Sequence, residues 1–243
     1  MQKALLKIPI IGDGGVGKTS LRARFIHNKF NSNYKATIGV DFISKEVVVD
    51  TALAATLAQE LPSLSNVVAL REHFQENPPS SEQPLRITMQ LWDTAGQERF
   101  QSLGTAFYRG ADACVLVFDL STFSSFDNLK KWHADFITRA DIQRPNDFPF
   151  IVIGNKMDCD RSVPRTTAEA WAKSINAVYV ECSARDGTHV ERAFKKLAIL
   201  ARPMVASSFG GPKHSNTVSF EHQGVNPKRP DAPLGESSGT CCS

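Results

Sequence analysis

The sequence predicts an α/β fold: a mixed, mostly parallel six-stranded sheet flanked by helices on both faces. Three observations predict it. Short apolar runs alternate with helical patterns along most of the chain, the order that builds a parallel sheet through crossover helices. A glycine-rich loop, Gly12-Asp13-Gly14-Gly15-Val16-Gly17-Lys18-Thr19, stands between an apolar run and a helical pattern. Finally, each chemically distinctive stretch directly follows an apolar run, and ligands of open α/β sheets sit at the carboxyl ends of strands.

In chain order, Ala4 to Ile11 is a first strand buried on both faces, although Pro9 cannot donate to a ladder and is rare in central strands. Residues 18–28 form a helix, and residues 31–39 a polar loop. Phe42 to Val49 alternates as a half-exposed strand does. Leu85 to Leu91 alternates cleanly and runs into Trp92-Asp93-Thr94-Ala95-Gly96-Gln97-Glu98. Further apolar runs at 113–120, 148–154 and 178–180 supply the remaining strands. Helical patterns fill 122–140, 166–176 and 188–201.

The glycine loop matches G-x-x-x-x-G-K-[ST] in the strand–loop–helix context which that pattern requires. Backbone N–H groups of Gly12, Gly14, Gly15, Val16 and Gly17, and of Thr19 and Ser20 at the helix start, can close around phosphate oxygens. Lys18 brings a point charge to the outer phosphates. The Thr19 hydroxyl suits Mg²⁺, which keeps several waters and takes few protein ligands. Asp93, ending an apolar strand, has the Walker-B position that reaches Mg²⁺ through water. After the strand near 150 comes Asn155-Lys156-Met157-Asp158. A carboxylate there can accept N1–H and the exocyclic amine of guanine together, and adenine offers neither donor in that place. Ser183-Ala184-Arg185 follows the last strand and can present backbone N–H to the guanine oxygen.

Composition narrows the class. A 243-residue chain with 42% hydrophobic residues suits one globular domain with additions. Its formal net charge of +3 is too small to argue for nucleic acid. No apolar run approaches the roughly 18 residues that span a bilayer, and the amino-terminal run feeds straight into the glycine loop, unlike a signal peptide. A cytoplasmic protein is expected. Cys114, Cys159 and Cys182 lack zinc-ligand spacing; only the terminal pair Cys241-Cys242 is unusual.

Taken together these motifs resemble the small GTPases of the Ras superfamily, with their P-loop G-domain. Ile38-Gly39-Val40-Asp41-Phe42, Trp92 through Phe100 and Tyr108-Arg109-Gly110-Ala111 resemble segments that set Rabs apart. Tyr34 through Gly39, Phe100-Gln101-Ser102-Leu103 and Phe148-Pro149-Phe150 are similar to late-endosomal Rabs. The resemblance implies a GTP/GDP switch that hydrolyses GTP slowly and recruits effectors in traffic from late endosome to lysosome or Golgi. It implies that Thr37 binds Mg²⁺ and the γ-phosphate, that Gly96 N–H grips that phosphate from the other side, and that Gln97 orients the attacking water. Lys18 and Gln97 are the catalytic candidates. Phe30 would pack edge-on against guanine, Tyr34 would join the nucleotide contacts, and Phe42, Trp92 and Phe107 would form the aromatic triad met by effectors, with core packing the alternative role for Phe42. An exchange factor, an activating protein that supplies an arginine, a prenylation escort and a dissociation inhibitor are further implied partners.

Two regions depart from the resemblance. Residues 51–84 replace a tight turn with roughly thirty extra residues, far beyond the usual hairpin loop. Leu53, Leu57, Leu61 and Leu64 recur there at helical spacing. A partner-binding helix, a tolerated disordered insertion and a retained intron or mispredicted exon are the competing explanations, the last two favoured jointly. The G-domain is expected over 1–202, and 203–243 as a disordered tail, rich in Gly, Pro and Ser. The resemblance implies prenyl groups on Cys241 and Cys242, which would anchor the protein to the cytosolic face of late endosomal, lysosomal or Golgi-directed membranes.

Overall fold

The computed structural model describes residues 4–33, 36–37, 39–49, 85–94 and 107–207. Tyr34, Gly96, Gln97, the 51–84 insertion, the tail from residue 208, Cys241 and Cys242 lie outside the described residues.

The elements in order are β1 (Ala4–Ile11), α1 (Lys18–His27), β2 (Val40–Val49), β3 (Leu85–Thr94), β4 (Cys114–Asp119), α2 (Phe123–Asp127), α3 (Leu129–Ala140), β5 (Phe150–Asn155), α4 (Arg165–Ser174), β6 (Val178–Glu181) and α5 (Val190–Ser207). The six strands form one sheet in the order β2-β3-β1-β4-β5-β6. Only β2 and β3 run antiparallel; the remaining neighbours are parallel. The predicted mixed, mostly parallel sheet is thus observed.

Burial follows from position in the sheet. Every residue of β4 and β5 is buried, as expected for central parallel strands covered on both faces. One core places Leu21 and Phe25 of α1 and Phe194 and Leu197 of α5 against Ile8, Ile10, Val115 and Ile153. The other places Phe126 of α2, Trp132 and Phe136 of α3 and Ala168 of α4 against Leu116, Phe118, Phe150 and Val152. Alternate residues of one strand therefore serve opposite cores.

Pro9 has a local explanation. The Lys7 N–H donates to the Asp112 carboxylate at 2.8 Å, and its carbonyl accepts from Asp112 N–H at 2.9 Å. Strand alternation turns the Pro9 nitrogen toward the same β4 side. The ladder with β4 begins only at Ile10. Pro9 pairs with Trp92 of β3 across the other edge, so the missing N–H falls where β4 has not yet come alongside.

Two elements differ from expectation. The helix predicted over 122–140 is broken at Asn128, whose side chain donates to Asp13 in the glycine loop at 2.7 Å. The last helix does not end at 201 but continues to Ser207. Pro203 is therefore accommodated within a helix, at the cost of one backbone hydrogen bond.

Candidate functional site

The carboxyl ends of β1, β3, β4 and β5 and the loop after β6 meet at one edge of the sheet. Gly12 opens the loop after β1 with φ +141°, and a Cβ there would stand 2.1 Å from the Val117 carbonyl oxygen. No side chain fits, so the loop crosses tightly over β4. Gly17, at φ +96°, abuts Asn155; a Cβ would lie 2.3 Å from its Nδ2. That Nδ2 donates to the Val16 carbonyl at 2.8 Å, while Asn155 Oδ1 accepts the Ala184 N–H at 3.1 Å. One amide side chain thereby ties the phosphate loop to the loop after β6. Asp13 holds the opposite flank, accepting from Trp132 Nε1 and Asn128 Nδ2, both at 2.7 Å.

Lys18 begins α1 and curls back over the loop. Its ammonium donates to the carbonyls of Gly12 and Asp13, each at 2.7 Å. Burial pulls its pKa down to about 8, with Asp93 and Asp13 opposing. An incoming phosphate would meet a cation that has already lost most of its water, which strengthens the attraction.

Beside it three oxygen-bearing side chains converge. Thr19 Oγ1 donates to Asp93 Oδ2 at 2.6 Å and lies 2.8 Å from Thr37 Oγ1. Asp93 is fully buried, and its Oδ1 has no hydrogen-bond partner among the described residues. Burial raises the Asp93 pKa, opposed by Thr19 and by the Arg22 guanidinium 3.8 Å away. A buried orphan carboxylate oxygen next to two hydroxyls is a donor set for a hard divalent cation. Among the described residues no group of three or more His, Cys, Asp or Glu is placed to hold a metal ion.

At the far end of the cavity, Lys156 occupies the left-handed region with φ +63° and pairs with Asp119 at 2.7 Å. Burial disfavours the Asp119 charge, but Lys156 and Ser121 outweigh it, and its pKa falls below the usual range. Asp158 accepts from Ser183 Oγ at 2.6 Å, which chiefly lowers its pKa. The carboxylate is thus kept ionised and oriented. Phe30 is 40% exposed and, with Asn155, Lys156, Asp158, Ala184 and Arg185, lines the same cavity of about 460 Å³ as Gly14, Gly15, Gly17 to Ser20 and Thr37.

Outside the cavity, Phe42 stacks on Trp92 with centroids 4.7 Å apart, and Trp92 meets Phe107 at 5.6 Å. Phe42 is 53% exposed, which excludes the core-packing role. The sequence reading missed Asp13, Arg22, Arg24, Asn128 and Trp132. Asp13 fills an unspecified position of the glycine-loop pattern and the others belong to no spaced motif; partners distant along the chain meet them only on folding.

A family model described as Ras family matches residues 7–58 and 74–202, a break falling inside the anomalous 51–84 segment. The chain is 40% identical over 232 residues to Ras-related protein Rab7 of Drosophila melanogaster, covering 95% of this chain and 96% of that protein. It is 45% identical over 202 residues to Ras-related protein Rab7 of Pisum sativum, covering 81% and 82%. With Ras-related protein RABG3d of Arabidopsis thaliana it shares 44% over 199 residues, covering 80% and 81%. On this likeness, across the phosphate loop, the guanine motif and most of the chain, the protein belongs to the Ras family of GTP-hydrolysing switches, within the late-endosomal Rab branch.

Proposed function

We propose that the cavity after β1 binds GTP or GDP with Mg²⁺ and that its terminal phosphate governs recognition by effectors in late endosomal traffic. The observation that carries this reading is that the phosphate loop and the guanine motif line one cavity. The backbone of Gly12 to Gly17, with Thr19 and Ser20, surrounds the phosphates; Lys18 exchanges its two loop carbonyls for phosphate oxygens. Thr19, Thr37 and Asp93 would hold Mg²⁺, whose charge would offset that of the phosphates. Asp158 accepts the two guanine donors, Lys156 covers the base face and Ala184 N–H donates to O6. Phe30 and Tyr34 flank the nucleotide, with Ser183 and Arg185 supporting Asp158 and the base loop.

Gln97 orients the water that attacks the γ-phosphate, the bond to the β-phosphate oxygen breaks, and inorganic phosphate leaves. Thr37 and Gly96 lose their shared partner at that moment, and the two segments relax. No sequence motif places an arginine to act in cis, so turnover is slow, on the order of 10⁻⁴ to 10⁻³ s⁻¹, until an activating protein supplies one. Phe42, Trp92 and Phe107 form the surface that effectors read. An exchange factor reloads the site.

Among the described residues no helix is long and apolar enough to cross a membrane. Attachment rests on prenyl groups at Cys241 and Cys242, since two chains give stable anchoring where one is marginal. An escort and a dissociation inhibitor would deliver and retrieve the prenylated tail. Mass spectrometry of the carboxyl-terminal peptide from eukaryotic cells tests this: two geranylgeranyl additions are expected, and unmodified thiols would refute it.

Displacement of a fluorescent GDP analogue from the purified protein tests the cavity. GTP and GDP should compete and ATP should not, at up to a thousandfold excess by the order of discrimination available to a site that hydrogen-bonds its substrate. Chelation of Mg²⁺ should speed release. Equal competition by ATP would overturn the guanine assignment, and release indifferent to chelation would overturn the metal.

A further inference from the structure

Arg24 lies outside every motif, yet it makes the most extensive side-chain bridge near the base site. It stands in α1, on the helix that begins at Lys18. Its Nε donates to the Ala184 carbonyl at 2.9 Å, and its Nη2 donates to the Arg185 carbonyl. Its Nη1 reaches the Asn28 carbonyl at 3.1 Å and the Asn28 side-chain oxygen at 3.2 Å. The stem lies against Gly187, where a Cβ would stand 3.5 Å from Arg24 Cδ. The planar guanidinium fork suits this work, because its five N–H groups have fixed directions and can hold several carbonyls at once. Lysine, whose three donors share one nitrogen, cannot span them.

The held segment carries the base contact. Ala184 donates its N–H to Asn155 Oδ1 at 3.1 Å, so guanine O6 must take the place of that oxygen as acceptor, while the Ala184 carbonyl, on the next peptide, is fixed by Arg24. Asp158 has a separate support in the Ser183 hydroxyl. The two edges of the base therefore depend on different struts: the amine edge on Ser183, the oxygen edge on Asn155 at the Ala184 N–H and on Arg24 at its carbonyl.

We propose that Arg24 is a specificity-determining positioning residue, clamping residues 184–185 to α1 so that the Ala184 N–H is aimed at guanine O6. The inference rests on the guanine reading of the cavity given above, and its test separates the two. Affinities of the full chain are measured for GDP, for 6-thioguanosine diphosphate and for inosine diphosphate. The first analogue replaces O6 by a poor acceptor and keeps both donors that Asp158 reads; the second keeps O6 and lacks the amine. The unaltered protein should prefer GDP over the thio analogue by about fivefold, the scale of one neutral hydrogen bond. Arg24→Ala should cut that preference below about twofold and leave the preference over inosine diphosphate unchanged. Arg24→Lys, which keeps charge and stem, should fall between.

Arg24→Ala with both preferences at their original values, or with both reduced together, would overturn the clamp. If the alanine variant does not fold, Arg24→Lys with the full original preference overturns it equally. An unaltered protein that binds the thio analogue and the inosine analogue as well as GDP would sink the guanine assignment itself, and the clamp with it.

Discussion

His133 illustrates how a single side chain ties this fold to pH. It sits on α3 between two rings, 4.7 Å from the Phe150 centroid and 6.3 Å from that of Trp171. Its Nε2 is buried without a hydrogen-bond partner among the described residues. Burial lowers its pKa from the ordinary histidine value. The unfolded chain therefore binds a proton that the folded chain refuses, and stability rises with pH across the interval between the folded and unfolded values. The contribution is complete above the unfolded value of about 6.5 and shrinks as pH falls below it. The urea midpoint should drop between pH 7.5 and 5.5, and His133→Leu should narrow that drop. An unchanged drop in the variant would place the sensitivity elsewhere. Residues such as Asp158 and Lys18 were legible from spacing alone, because their neighbours in sequence are their neighbours in the site. His133, Arg24 and Asp13 were not, because each takes its meaning from partners on distant segments.

Among the elements, β1 shows how a locally unfavourable residue is absorbed. Pro9 looks misplaced in a central strand, yet the strand is regularly paired on one edge only up to Ile10, and Asp112 caps the Lys7 N–H on the other. Asp112→Ala should cost about 1–2 kcal/mol, the penalty of leaving a partly buried N–H unsatisfied, and Asp112→Asn, which keeps an acceptor, should cost less. Urea denaturation of both variants checks the order; equal losses would contradict it. The same logic accounts for the two misjudged helices. Periodicity over 122–140 is continuous, but the Asn128 side chain is drawn to Asp13 and Ser125 hydrogen-bonds the Asp119 N–H at 3.0 Å, so the first turn is held separately. In α5 the helix continues past Pro203, whereas a proline in sequence marks a boundary.

For the molecule as a whole, the antiparallel pair β2–β3 sets the two strand ends that flank the insertion, Val49 and Leu85, at the end of the sheet away from the cavity. Asp93 pairs with Asp41 at the cavity end, while Val49 pairs with Leu85 at the other. Eight rises of strand, from Leu85 to Asp93, span about 27 Å. Val49 and Leu85 stand side by side, so a short turn can rejoin them. Deleting residues 52–83 should leave nucleotide affinity within about twofold, since loop closure varies only logarithmically with length. Measured GDP affinity of the shortened chain decides; a tenfold loss would show that the insertion reaches the site.

The sequence by itself determined the sheet and the chemistry of the site. Strand and helix periods are local properties of the chain, and each motif keeps its reacting groups within a few residues at the end of one strand. Only the tertiary structure decided which side chains hold those motifs in register: Asn155 across Val16 and Ala184, Asp13 against α3, and Arg24 against the base loop. Apart from Asn155 to Ala184, these contacts join segments more than a hundred residues apart, and no pattern along the chain encodes a distance that exists only once the strands have been brought side by side.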